Sequence, residues 1–303
     1  MELGMIGLGR MGANMTERLL AGGHRVVGFD RDAEAVRRVA GKGAGEADSV
    51  DALVRSLHPP RAIWLMVPMT AVDATLAEVT TMLAAGDIVV DGGNSNYHET
   101  MRRATELRQR GLHYVDVGTS GGIWGLREGY CLMVGGDEDP VERLRPVFET
   151  LAPSANSGWG HVGPSGAGHF VKMIHNGVEY GMMQAYAEGF AILDAKREFD
   201  FDVSQIAEIW RFGSVVRSWL LDLIAAALER EPDLGSVSPY VQDSGEGRWT
   251  VAEAIDLDIP APVITLALQE RLRSRIDNSF ADRLLAVMRE QFGGHAVQRV
   301  KES

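Results

Sequence analysis

The sequence predicts an α/β protein in two parts. A doubly wound parallel sheet is expected over residues 1–164, and an all-helical domain over 165–303. Three observations carry this. In the first half, short apolar runs alternate with amphipathic stretches, the pattern of βαβ units. A Gly-rich turn, Gly7-Leu8-Gly9-Arg10-Met11-Gly12, joins the first run to the first amphipathic stretch. After a Gly/Pro/Ser-rich segment at 152–168 the strand pattern stops. A chain of 303 residues has room for two domains, each with its own core.

The elements follow in order. Residues 3–6, 25–29, 62–67, 88–91, 114–117 and 130–134 are brief apolar runs and read as buried strands. Between them, 11–21, 33–40, 71–83 and 99–110 carry apolar residues at helical spacing. Residues 168–196 form one long helix with small and apolar residues on most faces, so it is expected to be largely buried. Further helices are expected at 203–210, 215–230, 250–256, 261–275 and 280–290.

Composition narrows the function. Hydrophobic residues are 45% and charged residues 24%, values of an ordinary globular protein rather than a disordered or fibrous one. The net charge of −12 argues against nucleic acid as a partner, because a phosphate backbone needs a basic face. No polybasic stretch marks an anionic membrane surface. No apolar run approaches the roughly 18 residues of a membrane span. The lone Cys131 excludes an internal disulfide and fits a reducing compartment. The first residues enter a strand pattern directly, with no signal peptide, so a cytoplasmic protein is expected.

The Gly-rich turn follows a strand and opens a helix, the setting of a Rossmann-type dinucleotide site. The first Gly makes the tight turn, the second lets backbone approach a pyrophosphate, and the third lets helix pack on strand. The helix N-terminus offers unpaired N–H groups to the phosphates. Asp30 ends the next strand, eighteen residues after Gly12, where an acid accepts hydrogen bonds from ribose hydroxyls. A carboxylate there repels a 2′-phosphate and favours NAD, and Asp32 adds a second negative charge. Arg31 can clasp a 2′-phosphate or stack, solvated, over adenine, so NADP is the weaker alternative.

Two loops close strands on the ligand side of the sheet. Gly118-Thr119-Ser120-Gly121-Gly122 can form an anion nest with an added hydroxyl. Asp91-Gly92-Gly93-Asn94-Ser95 brings Asn94 within reach of nicotinamide and substrate; either loop alone is more often a plain turn. On the long helix, Lys172, His175, Asn176 and Glu179 stand at i, i+3, i+4 and i+7 and share one face. A Lys and a Glu on an otherwise apolar helix cost desolvation unless paired or used. Beside a nicotinamide site, a buried Lys can act as base and a carboxyl as acid. The late helices carry Arg248, Arg271, Arg273, Arg275 and Arg289, guanidinium forks suited to phosphate or carboxylate, although single arginines are usually solvated surface charges.

These residues together resemble the 6-phosphogluconate dehydrogenases, in their short, NAD-preferring, decarboxylating form. The matching stretches are 7–14, 91–95, 120–122, 168–180, 245–250 and 292–295, which span most of the chain. His175-Asn176-Gly177-Val178-Glu179-Tyr180 together with the stretch 289–295 is the specific part. The Gly motif is shared with the wider β-hydroxyacid dehydrogenase superfamily. The resemblance implies oxidative decarboxylation of 6-phosphogluconate to ribulose 5-phosphate and carbon dioxide, with reduction of NAD. It implies that Lys172 is the base at the carbon 3 hydroxyl and that Glu179 protonates the enediol. Asn94, Ser120, Gly121, Gly122, His175 and Asn176 would hold the sugar acid. Tyr180, Arg248, Arg271 and Arg289 would hold the phosphate, with His295 near the hydroxyls. Gly7, Leu8, Gly9, Arg10, Met11, Gly12, Asp30, Arg31, Val67 and Asn94 are the candidate cofactor contacts. No metal-ligand cluster is apparent, and a β-keto acid decarboxylates without one once its carbonyl is polarised.

The chain departs from the longer members, which carry a second helical repeat, usually Lys in place of Arg248, and commonly Asn and Thr in place of Asp30 and Asp32. In those enzymes the C-terminal Arg and His come from the partner subunit. The resemblance therefore implies a homodimer or homotetramer with Arg289 and His295 acting in trans. The nearest alternative is a non-decarboxylating enzyme of the 3-hydroxyisobutyrate or tartronate semialdehyde type, which needs neither Glu179 nor several arginines. A non-catalytic nicotinamide sensor is a further alternative, which the presence of both Lys172 and Glu179 disfavours.

Overall fold

Strands that are apolar on both faces need cover on both sides, and the helices between them provide it. The structure, a computed structural model, describes residues 1–293 and 296–298. The strands are β1 (Glu2–Ile6), β2 (Arg25–Phe29), β3 (Gly45–Glu46), β4 (Ala62–Leu65), β5 (Ile88–Asp91), β6 (His113–Ser120), β7 (Cys131–Gly135) and β8 (Trp159–Gly163). They form one sheet in the order β3-β2-β1-β4-β5-β6-β7-β8. Every neighbouring pair is parallel except β6 and β7. The strand order reverses direction at β1 and β4, the switch point where such sheets open a crevice at their carboxyl ends.

The helices over this sheet are α1 (Arg10–Ala21), α2 (Ala33–Ala40), α3 (Val50–Arg55), α4 (Met69–Val79), α5 (Tyr97–Arg108), α6 (Gly125–Glu128) and α7 (Glu138–Leu151). Period-two alternation divides the apolar residues into two cores. Leu3, Met5, Val26, Trp64 and Val90 join Met15, Leu19 and Phe148 in one. Ile6, Val27, Ile63, Leu65 and Val89 join Leu53, Leu76 and Leu107 in the other. Burial of a large side chain such as Leu or Phe stabilises by about 1.5–3 kcal/mol. Side-chain caps by Asp32, Ser49 and Asn96 start α2, α3 and α5, at about 1 kcal/mol each.

Helix α8 (Ala167–Ala195) is followed by α9 (Val203–Trp210), α10 (Trp219–Arg230), α11 (Glu246–Asp256), α12 (Pro262–Arg273) and α13 (Phe280–Gly293). The chain divides into two compact units, Met1–Asn176 and Gly177–Ser303, so the boundary falls inside α8. The second unit has two small cores, one of Ala207, Leu221, Ala225 and Leu228 with Tyr186 and Phe190, the other of Tyr180, Ala267 and Leu268. No helix among the described residues is long and apolar enough to cross a membrane.

Several expectations are corrected. Strands β3 and β8 and helices α3 and α7 lacked a usable sequence signal. β3 is two exposed residues, β8 is a Gly-rich edge without apolar alternation, and α7 hides behind Pro140 and Pro146. The helix expected at 215–230 starts at Trp219, where Ser218 caps it, and Val215 is 99% exposed. The largest correction concerns α8. From Met182 onward none of its residues is buried, and Ile192 is 71% exposed. Its apolar residues there exceed what the single chain covers.

One ion cluster ties α4 to α5. Buried Arg103 donates from Nε and Nη2 to Asp73 at 2.7 and 3.2 Å, and Arg102 donates to it at 2.9 Å. These bonds, Arg103's first, hold the Asp73 carboxyl down at about 2. Its folded value lies below the unfolded 3.8, so its stabilisation is full above that value and is lost as pH falls through about 2. Asp73 is more than half exposed, so screening keeps the effect modest. The melting temperature of Asp73→Asn is expected below that of the wild type at pH 5–7, the gap closing by about pH 2. A gap unchanged at pH 2 would contradict this reading.

Candidate active site

The turn from β1 to α1 is built for an anion. Gly7 has φ +95°, and a Cβ there would lie 2.5 Å from the Met66 carbonyl oxygen. A Cβ at Gly12 would overlap the carbonyl of Gly7, so helix and strand touch. Around Gly9, by contrast, a Cβ would meet nothing within 4 Å. Gly9 starts α1 with no side-chain cap, which leaves first-turn N–H groups facing an open cradle. That cradle fits a dinucleotide pyrophosphate.

Asp30 follows β2 and closes the cradle. Its Oδ2 accepts from the Leu8 N–H at 2.6 Å and its Oδ1 from the Asp32 N–H at 2.9 Å. The carboxylate is thus fixed beside the Gly-rich turn. Leu8 buries its side chain in the core and offers only backbone. Arg10 and Arg31 are exposed, and Met11 is half-buried. Val67 follows β4, its carbonyl oxygen 3.1 Å from where a Cβ of Gly93 would be.

The loops carrying Asn94 and Gly121 leave the adjacent strands β5 and β6, whose register pairs Asp91 with Asp116. Asn94 is exposed on its loop, and Ser120 is half-buried at the end of β6. Gly121 and Gly122 have φ of +131° and +52°, conformations that favour glycine. The Asp91 carboxylate organises the first loop. It accepts from the Gly93 N–H at 3.1 Å, from Ser95 Oγ at 2.6 Å and from Tyr114 Oη at 2.9 Å. Burial, reinforced by Asp91, pushes the Tyr114 hydroxyl well above its usual pKa, so it remains a donor.

Helix α8 lies directly against β6. A Cβ at Gly118 would overlap the Cβ of Lys172 and lie 2.6 Å from the Gly168 carbonyl oxygen. Glycine at both 118 and 168 permits this approach, which sets Lys172 beside the strand that ends in Ser120. Lys172 is only 7% exposed, and Asn176 is also buried. His175 and Glu179 are half-buried on the same helix face. His175 Nδ1 lies 3.0 Å from Asn176 Oδ1.

In the second unit an arginine stacks on Tyr180. The Arg271 guanidinium stacks 3.6 Å from the Tyr180 ring centroid and donates to the Gln242 carbonyl at 2.8 Å. Tyr180 Oη is 3.4 Å from Ser244 Oγ. Arg248 is exposed and donates to the nearly buried Asp243 at 2.6 Å. Burial works to raise the Asp243 pKa, but the Gly245 N–H, Arg248 and Arg275 outweigh it and hold the carboxyl below its usual range. Sequence reasoning missed Asp243, which draws off part of Arg248's charge. Arg289 is exposed on α13. His295 lies outside the described residues. Among the described residues, no group of three or more His, Cys, Asp or Glu is placed to hold a metal ion.

Residues 2–160 match the family model of the NAD binding domain of 6-phosphogluconate dehydrogenase. Residues 185–303 match that of the 6-phosphogluconate dehydrogenase C-terminal domain. The chain is 48% identical over 301 residues, 99% of both chains, to the NAD(+)-dependent, decarboxylating 6-phosphogluconate dehydrogenase of Haloferax volcanii. It superposes on Plasmodium falciparum 6-phosphogluconate dehydrogenase with a TM-score of 0.83 and 26% identity, covering all of this chain and 67% of that longer one. Mycobacterium tuberculosis 3-hydroxyisobutyrate dehydrogenase shares the fold at TM-score 0.72 and 22% identity, with 91% of this chain and 94% of that one covered.

Proposed function

The chain belongs to the 6-phosphogluconate dehydrogenase family, and from that premise we propose which of its residues perform each part of the reaction. It is an NAD-dependent oxidoreductase that converts 6-phosphogluconate to ribulose 5-phosphate and carbon dioxide. One observation carries the assignment of roles: a buried lysine, packed on the strand that ends in Ser120, shares a helix face with Asn176 and Glu179.

NAD is held by the backbone of Gly7, Leu8, Gly9, Arg10, Met11 and Gly12, by Asp30 at the ribose, and by Val67 and Asn94 toward the nicotinamide. Bound there, it supplies the hydride acceptor. The fixed Asp30 carboxylate repels a 2′-phosphate, which leaves NADP the weaker cofactor. Functionally, residues 1–164 bind the dinucleotide and lend the Asn94 and Ser120 loops to the substrate site, whose other groups come from 165–303.

Lys172 takes the proton of the carbon 3 hydroxyl as hydride leaves that carbon. The resulting ammonium then hydrogen-bonds the new carbonyl oxygen. The bond from carbon 2 to the carboxylate breaks, carbon dioxide departs, and the electron pair forms the enediol as Lys172 returns its proton to the carbon 3 oxygen. Glu179 then protonates the carbon that becomes carbon 1 of ribulose 5-phosphate while Lys172 takes the proton back from that hydroxyl. Asn94, Ser120, Gly121, Gly122, His175 and Asn176 hold the sugar acid. Tyr180, Arg248 and Arg271 bind the phosphate. Arg289 and His295 come from a second copy in a homodimer or homotetramer. The exposed apolar residues of α13, among them Phe280 and Leu285, support such an assembly.

The phosphate assignment is tested with Arg271→Ala. KM for 6-phosphogluconate is expected to rise about 10- to 100-fold with a smaller change in kcat, because the guanidinium contributes charge-assisted bonds in ground and transition states alike. Gluconate, which lacks the phosphate, should be used poorly and equally by both proteins. An unchanged KM would remove Arg271 from the site.

A further inference from the structure

We infer that two buried aspartates on neighbouring strands, Asp91 and Asp116, are positioning residues that fix the Asn94 loop and the Lys172 helix on one part of the sheet. The inference rests on the roles given above to Lys172 and Asn94.

Both side chains are fully buried, and the two residues are register partners across β5 and β6, so they project from the same face. Each carboxylate is committed to a different segment. Asp116 accepts from the Gly166 N–H at 2.7 Å through Oδ1 and from the His169 N–H at 2.9 Å through Oδ2. Those two residues flank the start of α8, one turn before Lys172. The anion thus clamps the helix N-terminus at the point where its dipole favours negative charge. Asp91 gathers Gly93, Ser95 and Tyr114, and Tyr114 stands two residues before Asp116 on β6. A further bond ties α5, which follows the Asn94 loop, to α8. Thr100 Oγ1 on α5 meets His169 Nδ1 on α8 at 2.7 Å.

A merely structural role fits poorly. Arg103 approaches Asp91 only to 3.8 Å, and among the described residues no cation pairs with Asp116. Two buried anions side by side are a costly way to hold a sheet that apolar residues would hold as well. What they supply is direction: each bond aims a loop or a helix start that carries a group of the site.

The test is steady-state kinetics on full-length Asp116→Asn and Asp91→Asn, normalised to NAD-binding sites. In Asp116→Asn an amide N–H faces a backbone N–H, and α8 must shift. kcat is expected to fall about 10- to 100-fold with KM little changed, as for a base displaced by about 1 Å. The isotope effect with substrate deuterated at carbon 3 should rise. Asp91→Asn should instead raise KM for 6-phosphogluconate more than it lowers kcat. If Asp116→Asn does not fold, Thr100→Val provides the same readout, with a several-fold loss of kcat and a raised isotope effect expected. Variants that lose only thermal stability, with wild-type kcat, KM and isotope effect per site, would overturn the inference. Lys172→Met separates the two levels. If it is inactive while Asp116→Asn behaves as wild type, only the positioning inference falls. If it remains active, the assignment of the base falls first.

Discussion

Lys172→Met is expected to lose oxidation of 6-phosphogluconate while binding NAD as well as the wild type does. Met is close to Lys in length and is apolar, so it suits a position that is 7% exposed and packed against β6. The fold should therefore stand. Removal of a general base costs about 10²- to 10⁴-fold. Here the same group also hydrogen-bonds the new carbonyl in the decarboxylation step, so the loss should lie toward the upper end. Stopped-flow absorbance of the reduced nicotinamide, with NAD affinity read by protein fluorescence, measures both halves of the statement. Oxidation within tenfold of wild type would show that another group takes the proton.

Glu179→Gln should separate the two halves of the reaction. Gln keeps the shape of Glu and its hydrogen-bonding reach but cannot deliver a proton. Glu179 stands seven residues after Lys172 on the same face of α8, so removing its acidity leaves the base in place. A burst of reduced NAD approaching one equivalent per site is expected. Steady turnover should then fall by about 10²- to 10⁴-fold as the enediol waits for its proton. Rapid mixing resolves burst from steady state. A variant that shows no burst and a matching loss in both phases would place Glu179 in the oxidation step instead.

Much of this architecture was legible in the sequence, for definite reasons. The runs at β1, β2 and β5 are apolar on both faces and bounded by turn residues, so each strand stands out. The Gly7-to-Gly12 turn could be read because each glycine answers a separate steric demand, and the structure meets those demands at Gly7 and Gly12. Lys172, His175, Asn176 and Glu179 were found because helical spacing alone puts them on one face. Asp116 and Asp91 were not. An aspartate in a buried strand looks like the strand's polar end until the backbone it clamps, fifty residues away for Asp116, is known. The Tyr180–Arg271 stack and the Asp243–Arg248 pair were also hidden. The first spans most of the second unit, and an isolated arginine on a helix carries no pattern. The exposed half of α8 misled for the opposite reason. Its composition reads as interior, whereas in one chain those residues face outward, and periodicity does not record which neighbour covers them.

One protein both oxidises and decarboxylates 6-phosphogluconate, with NAD as its preferred acceptor. The direct test is to mix the purified protein with 6-phosphogluconate and NAD, or NADP, and to quantify reduced nicotinamide and released carbon dioxide in the same sample. Equal amounts of the two products, formed faster with NAD, are the predicted result. Reduced nicotinamide without carbon dioxide would contradict it, and would place the chain with the hydroxyacid dehydrogenases that stop at the ketone.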